Sequence, residues 1–216
     1  MKKKAFTLAE VLITLGIIGV VAALVMPSLI ANYRKQQTIS QLKKVYSTLN
    51  NAMRMSEAEN GDYASWDVAS DIGIQNYFDK YWKPYFNITE ICQKSYCWYS
   101  SDVPWFDYDG NPNTTGAGTN SYGVSFKLAD GTMINLRALA GNASVSNLVI
   151  VDLNGAKSPN TFGKDVFFFE RTPQNGVMPY GYDQSDDDVD TNCATSGGYC
   201  GAKIIREGWQ INYDLK

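Results

Sequence analysis

Glu10 is the only ionised side chain between Ala5 and Tyr33, and it stands just inside a long apolar run. A carboxylate in the hydrocarbon of a bilayer costs roughly 2.5–3.5 kcal/mol near the helix centre, so an acid in such a segment is by default functional and has a cationic partner. The only basic side chains close to it are those of Lys2, Lys3 and Lys4. A second chemistry sits in the four cysteines, which come as two close pairs, Cys92 with Cys97 and Cys193 with Cys200. Local disulfides are the natural reading, since each neighbour is already held close. A four-cysteine zinc site is the competitor, for which the separation of Cys193 and Cys200 is wide. A third is oxygen-rich and suits a hard cation such as Ca²⁺. One candidate is Asp152-Leu153-Asn154-Gly155, followed by Asn160 and Asp165; the other is the run Asp183, Asp186, Asp187, Asp188 and Asp190. The lead ligands are Asp152, Asn154, Asp186 and Asp188, and no other cofactor is expected. Asx-turn chemistry accounts equally for the first loop, and a solvated acidic run for the second.

What is missing narrows the field. The chain has no histidine, which removes Ser-His and Cys-His catalysis and the common His-bearing metal sites. The chain is therefore not expected to be an enzyme. A net charge of −3, three units more negative without Lys2, Lys3 and Lys4, argues against nucleic acid as a partner.

The elements that position these groups begin with the apolar run itself. Residues 6–31 as a helix would span on the order of 39 Å, enough to cross a hydrocarbon layer. A secretory signal peptide would have a shorter core. Lys2 to Lys4 keep the amino end cytoplasmic by the positive-inside bias and send the remainder outward, against the weaker pull of Arg34 and Lys35. Gly16, Gly19 and Pro27 weaken the helix, and a kink or local melt is expected near Pro27, which crowds the carbonyl of Ala23. Close packing of these small residues against another helix explains them equally well. Residues 32–60 continue the helix in amphipathic form, with Ile39, Leu42, Tyr46, Leu49 and Met53 on one face, and Asn60-Gly61 as the stop.

The segment Phe6-Thr7-Leu8-Ala9-Glu10, after a short basic stretch and before an apolar helix, closely resembles the class III signal of type IV pilins and type II secretion pseudopilins. The resemblance implies that residues 1–5 are a leader and that prepilin peptidase cuts between Ala5 and Phe6, Ala5 standing where the family usually has Gly. It further implies that the new amine of Phe6 is N-methylated and that Glu10 pairs with this cation on a neighbouring subunit, neutralising both inside a helical bundle. In such proteins the stretch between the glycines and the proline can unwind as the subunit leaves the bilayer. Some pseudopilins carry Ca²⁺ in a late loop of the globular domain.

Residues 61–216 suffice for one globular domain. An aromatic helix is expected over residues 74–82, with Ile74, Phe78, Tyr81 and Trp82 on one face; the residues read as core, or else as an exposed surface for glycans or protein partners. The clearest hairpin joins Tyr122–Leu128 to Thr132–Leu136. A two-residue Asp-Gly turn would set Phe126 opposite Asn135, whereas a three-residue loop with Gly131 left-handed sets Phe126 opposite Ile134 and Val124 opposite Leu136. Further strands are expected over 148–153, 166–171 and 209–213, with a short helix over 202–207. The fold class is α+β and pilin-like: a long helix, half of it transmembrane, packed on an antiparallel sheet. The expected function is a structural subunit, a pilin or minor pseudopilin of a type IV pilus or type II secretion pseudopilus. It would be held in the inner membrane by one span, with its C-terminal domain outside the cytoplasm, and would assemble with identical or related subunits. The alternative is a membrane-anchored or secreted binding module that does not polymerise.

Overall fold

The computed structural model describes residues 7–93, 104–113, 123–138 and 147–215. The chain divides into two compact units, Met1–Gln37 with Tyr213–Lys216, and Thr38–Asn212. Helix α1 runs from Leu8 to Asn60 and contains Pro27. The melt expected around Gly16, Gly19 and Pro27 is not present. A proline withdraws one main-chain donor, and the helical turns on either side are long enough to carry the helix across it. The stop falls as expected, with Gly61 at φ +82° just past Asn60.

Within the second unit, the last turns of α1 bury Ile39, Leu42, Val45, Leu49, Ala52, Met53 and Ser56. Tyr46 lies at the margin of that stripe, half-buried, with its ring 6.0 Å from Phe169 and 5.8 Å from Trp209. Two short helices follow, α2 (Ala69–Ile72) and α3 (Ile74–Tyr81). α3 buries Tyr77, Phe78 and Tyr81, followed by Trp82, whereas Ile74 is only half-buried. These rings form a core: Trp66 stacks on Tyr81 at 4.5 Å, and Phe78 meets Phe126 at 5.1 Å. Trp105 is 2% exposed, which places it in the interior as well. Trp98 lies outside the described residues.

Among the described residues eight strands follow: β1 (Ile88–Ile91), β2 (Trp105–Phe106), β3 (Pro112–Asn113), β4 (Gly123–Leu128), β5 (Met133–Arg137), β6 (Leu148–Asp152), β7 (Val166–Thr172) and β8 (Gly176–Pro179). Six make one sheet in the order β1-β4-β5-β6-β7-β8, and β2 pairs with β3 in a separate ribbon. Every pairing in the large sheet is antiparallel. The β4–β5 register sets Phe126 opposite Ile134 and Val124 opposite Leu136, with Gly131 at φ +91°. The longer loop therefore holds; Tyr122, expected to open β4, lies outside the described residues. Because the side-chain period is two, that register aligns Phe126, Ile134, Val151 and Phe167 across four strands on one face. Val124, Leu136, Val149 and Phe169 form the next row of the same face, which meets α3 through Phe126 and α1 through Phe169. The opposite face carries Met133, Ile150 and Val166, covered by Trp105 and Phe162.

The expected strand over 209–213 does not form. Trp209 has φ +64°, and the outer edge of β8 is already occupied. The Asn50 side chain accepts from the main-chain N–H of Val177 at 3.1 Å and donates to its C=O at 3.0 Å, so one helical amide takes the place of a further strand. Asn50→Leu should expose both Val177 groups and cost about 2 kcal/mol, read by urea unfolding, with faster hydrogen exchange at Val177.

The run Asp186–Asp190, expected as a loop, is helical. Helix α4 (Asp186–Thr195) starts at Ser185, whose hydroxyl accepts from the Asp188 N–H at 3.2 Å while donating to its carboxylate at 2.6 Å. This reciprocal cap, with three acids in the first turn facing the positive end of the helix dipole, explains why an acidic stretch is ordered there. Helix α5 (Cys200–Arg206) closes the unit, close to the short helix expected over 202–207.

Candidate functional site

The N-terminal end of α1 is organised by Thr7 and Glu10. The Glu10 carboxylate accepts from the Thr7 main-chain N–H at 2.7 Å and from its hydroxyl at 2.9 Å, and the Thr7 hydroxyl accepts from the Glu10 N–H at 3.3 Å. This is a capping box, Thr-x-x-Glu, and it satisfies two helix donors that would otherwise be orphaned. The spacing signal is present in the sequence, yet only the charge of Glu10, and not its service to its own helix, follows from the apolar context. Ala5 and Phe6 lie outside the described residues. Beyond the cap, every leucine, isoleucine, valine and methionine from Leu8 to Ile30 is exposed. The helix contains a window of mean hydropathy 2.5, none of it buried, and by length and composition it can cross a membrane. Burying each such side chain gains roughly 1.5–3 kcal/mol, so a surface of this kind is stable only in lipid or against other helices.

Cys193 on α4 and Cys200 at the start of α5 are joined by a disulfide with their Cα atoms 4.6 Å apart, both side chains buried. Cys92 is also buried and disulfide-bonded, and its expected partner Cys97 lies outside the described residues. The Cys193–Cys200 loop is short, so replacing both cysteines with serine should lower stability by about 2–3 kcal/mol, measured as a shift of the urea midpoint.

The oxygen-rich loop after β6 is drawn into one cluster. Asp152 ends β6 and its Oδ1 accepts from the Asn154 N–H at 3.0 Å, an Asx turn of the kind the sequence allows. The Asp165 carboxylate accepts three donors: the Thr161 N–H at 2.7 Å, the Asn160 N–H at 2.9 Å and the Asn154 side-chain amide at 3.0 Å. Asn160 adopts φ +51°, a left-handed conformation asparagine tolerates better than most residues. Asp152, Asn160 and Asp165 are all buried, at 2%, 4% and 6% exposure. Burial pushes the Asp152 carboxyl up to about 9, the neighbouring Asp165 charge adding to the effect against the N–H groups of Asn154 and Gly155. Burial also raises Asp165, despite its three donors. Three buried oxygens in this cluster have no hydrogen-bond partner: Asp152 Oδ2, Asn154 Oδ1 and Asn160 Oδ1. An unsatisfied buried polar atom costs about 1–3 kcal/mol.

The second acidic group is built differently. Asp186 pairs with Arg206 at 2.6 Å, Asp190 with Lys203 at 2.5 Å, and Asp188 is engaged in the α4 cap. Asp186 and Asp188 are thus held by protein cations and a serine on a solvent-facing helix, and the structure does not bring them together as a ligand set. Among the described residues, no group of three or more His, Cys, Asp or Glu side chains is gathered for a metal. The Asp152 cluster has two carboxylates and two amides instead.

A signal segment leading into one long apolar helix, and then into an antiparallel sheet domain, defines a precursor of the type IV pilin or pseudopilin type. The assignment rests on a match of residues 1–26 to the prokaryotic N-terminal methylation motif. That motif implies processing by prepilin peptidase and points to a structural protein. Its apolar helix is compatible with a single-pass membrane anchor. The model of a family of unknown function, DUF6613, matches residues 28–215, and the chain belongs to that family. Comparison with curated proteins and with solved structures gives no match.

Proposed function

We propose that this chain is a pilin or minor pseudopilin, a subunit that assembles through α1 into a type IV pilus or a type II secretion pseudopilus. The observation that carries the reading is the apolar surface from Leu8 to Ile30, exposed all round the helix directly behind the Thr7–Glu10 cap. Lipid accommodates that surface before assembly, and neighbouring copies of the same helix accommodate it afterwards. Cleavage at Ala5–Phe6 removes Lys2, Lys3 and Lys4 and creates the Phe6 amine, the cation that Glu10 of an adjacent subunit takes up. The partners are then the inner membrane, prepilin peptidase, and identical or related subunits. The Cys193–Cys200 disulfide supports placing the C-terminal domain outside the cytoplasm, where disulfides persist.

Mass spectrometry of the mature amino terminus tests the processing. The expected product begins at N-methylated Phe6; retention of Met1, or a start near Met26, would favour an anchored or secreted binding module instead. Cysteine cross-linking between α1 positions then reads assembly directly, with ladders of oligomers expected only in cells that carry the assembly machinery.

A further inference from the structure

We propose that Asn175 is a site of spontaneous covalent modification: its side chain cyclises onto the main-chain nitrogen of Gly176, and the isoaspartyl product loosens α1 from the edge of β8. This does not depend on whether the chain polymerises.

The step needs only hydroxide and water. The Gly176 nitrogen, having lost its proton to hydroxide, attacks Cγ of Asn175. The new N–Cγ bond forms, the Cγ–Nδ2 bond breaks, and ammonia leaves from a five-membered succinimide. Water then opens that ring at either carbonyl. One opening gives aspartate; the other gives isoaspartate, in which the main chain runs through the former side-chain carboxyl and carries one additional carbon. A following glycine favours the attack because it sets no Cβ beside the nitrogen.

The chain has three Asn-Gly dipeptides, Asn60-Gly61, Asn154-Gly155 and Asn175-Gly176. Two of them are tied on both reacting groups. The Asn60 carboxamide donates to the Ser56 C=O and the Tyr85 hydroxyl, each at 3.1 Å, while the Gly61 N–H donates to the Glu57 C=O at 2.9 Å. The Asn154 carboxamide donates to Asp165 at 3.0 Å, and the N–H of the buried Gly155 is held by the Asp152 carboxylate. Asn175 differs. It stands exposed in the loop between β7 and β8, and its carboxamide makes no hydrogen bond among the described residues. Only its main chain is fixed, through its N–H to the Thr172 hydroxyl at 3.0 Å. Its Cγ can therefore swing toward the next nitrogen without first breaking a side-chain contact, as suits an exposed loop tip.

The consequence falls on the junction with α1. Gly176 pairs with Thr172 at the end of the sheet, and Val177 beside it exchanges two hydrogen bonds with the Asn50 carboxamide. Gly176 itself lies so close that a Cβ added to it would stand 2.9 Å from Asn50 Oδ1. An isoaspartyl linkage lengthens the main chain there by one carbon–carbon bond, about 1.5 Å. Hydrogen bonds weaken steeply outside a narrow range of distance and angle, so the Asn50–Val177 clamp cannot follow such a shift intact.

The test is timed incubation of full-length protein in detergent at mildly alkaline pH. Peptide mapping should show a gain of one mass unit at Asn175, split into two isomeric products, with Asn60 and Asn154 slower by about tenfold or more because their hydrogen bonds must break first. Lowering the pH should slow the reaction. Ageing should speed hydrogen exchange at the Val177 N–H about tenfold and lower the urea midpoint. Asn175→Gln, whose longer side chain cannot close the five-membered ring, should age without either change. Freshly prepared Asn175→Asp, which has the new charge on a normal main chain, should keep the Val177 protection of fresh wild type and so assign the loss to the added carbon. An Asn175 peptide of unchanged mass, or one that reacts no faster than those of Asn60 and Asn154, would overturn the site. Unaltered Val177 exchange in protein carrying isoaspartate at position 175 would overturn its effect on the clamp.

Discussion

Glu10→Gln is expected to leave the subunit inserted and cleaved while reducing its incorporation into filaments a hundredfold or more. The substitution is informative because it separates the cap seen in the single chain from the proposed pairing with a neighbouring subunit. In the single chain the carboxylate closes the capping box with Thr7, and glutamine serves at that position nearly as well as glutamate. In the proposed assembly the carboxylate would also neutralise the Phe6 amine of a neighbouring subunit, which glutamine cannot do. Leaving one member of a buried pair without its counter-charge costs about 3–5 kcal/mol, which sets the size of the assembly defect. Membrane fractionation, mature N-terminal mass and a filament-shearing assay read the three quantities independently. Filaments at wild-type level from Glu10→Gln would mean that Glu10 matters only as a cap, and Thr7→Val would then be the more damaging change.

Phe126→Ala is expected to lower the stability of the Thr38–Asn212 unit by about 3–5 kcal/mol. Phe126 is fully buried; its ring lies 5.1 Å from Phe78 and 5.2 Å from Phe86, and it sits opposite Ile134 in the sheet. Removing it empties the junction between α3 and β4. Urea unfolding followed by tryptophan emission measures the loss, and Phe126→Leu, which retains most of the volume, should cost less than half as much. The proposed processing at Ala5–Phe6 should be unaffected, because the methylation motif is matched within residues 1–26. A loss below 1 kcal/mol would contradict the packing of Phe126 against α3.

Signals that are local in the chain are legible in the sequence. The hairpin from Gly123 to Arg137 is the clearest instance: the two-residue period of side chains and the need for a left-handed residue at Gly131 permit one register in which apolar residues face one another, and that register is the one observed. The long helix and its Asn60-Gly61 stop follow equally from periodicity and from glycine's freedom. The acidic run at Asp186–Asp190 reads as a loop because its charge density obscures the local cap signal that Ser185 and Asp188 carry.

Other features rest on partners far away in sequence. Asn50 looks like an ordinary polar position on the wet side of a helix, and its bond to Val177, 127 residues away, exists only because the fold lays α1 along the edge of β8. Asp152, Asn154, Asn160 and Asp165 can be seen in the sequence, but whether such oxygens face water or the interior is decided by the packing around them, which buries Asp152, Asn160 and Asp165. The long apolar helix, the signal, the α+β class and the register of the β4–β5 hairpin are all readable along the chain, because each is encoded in residues within a few turns or one loop of each other. Which polar groups are desolvated and left without partners is settled by the fold, since desolvation is a property of the packed neighbourhood rather than of the segment.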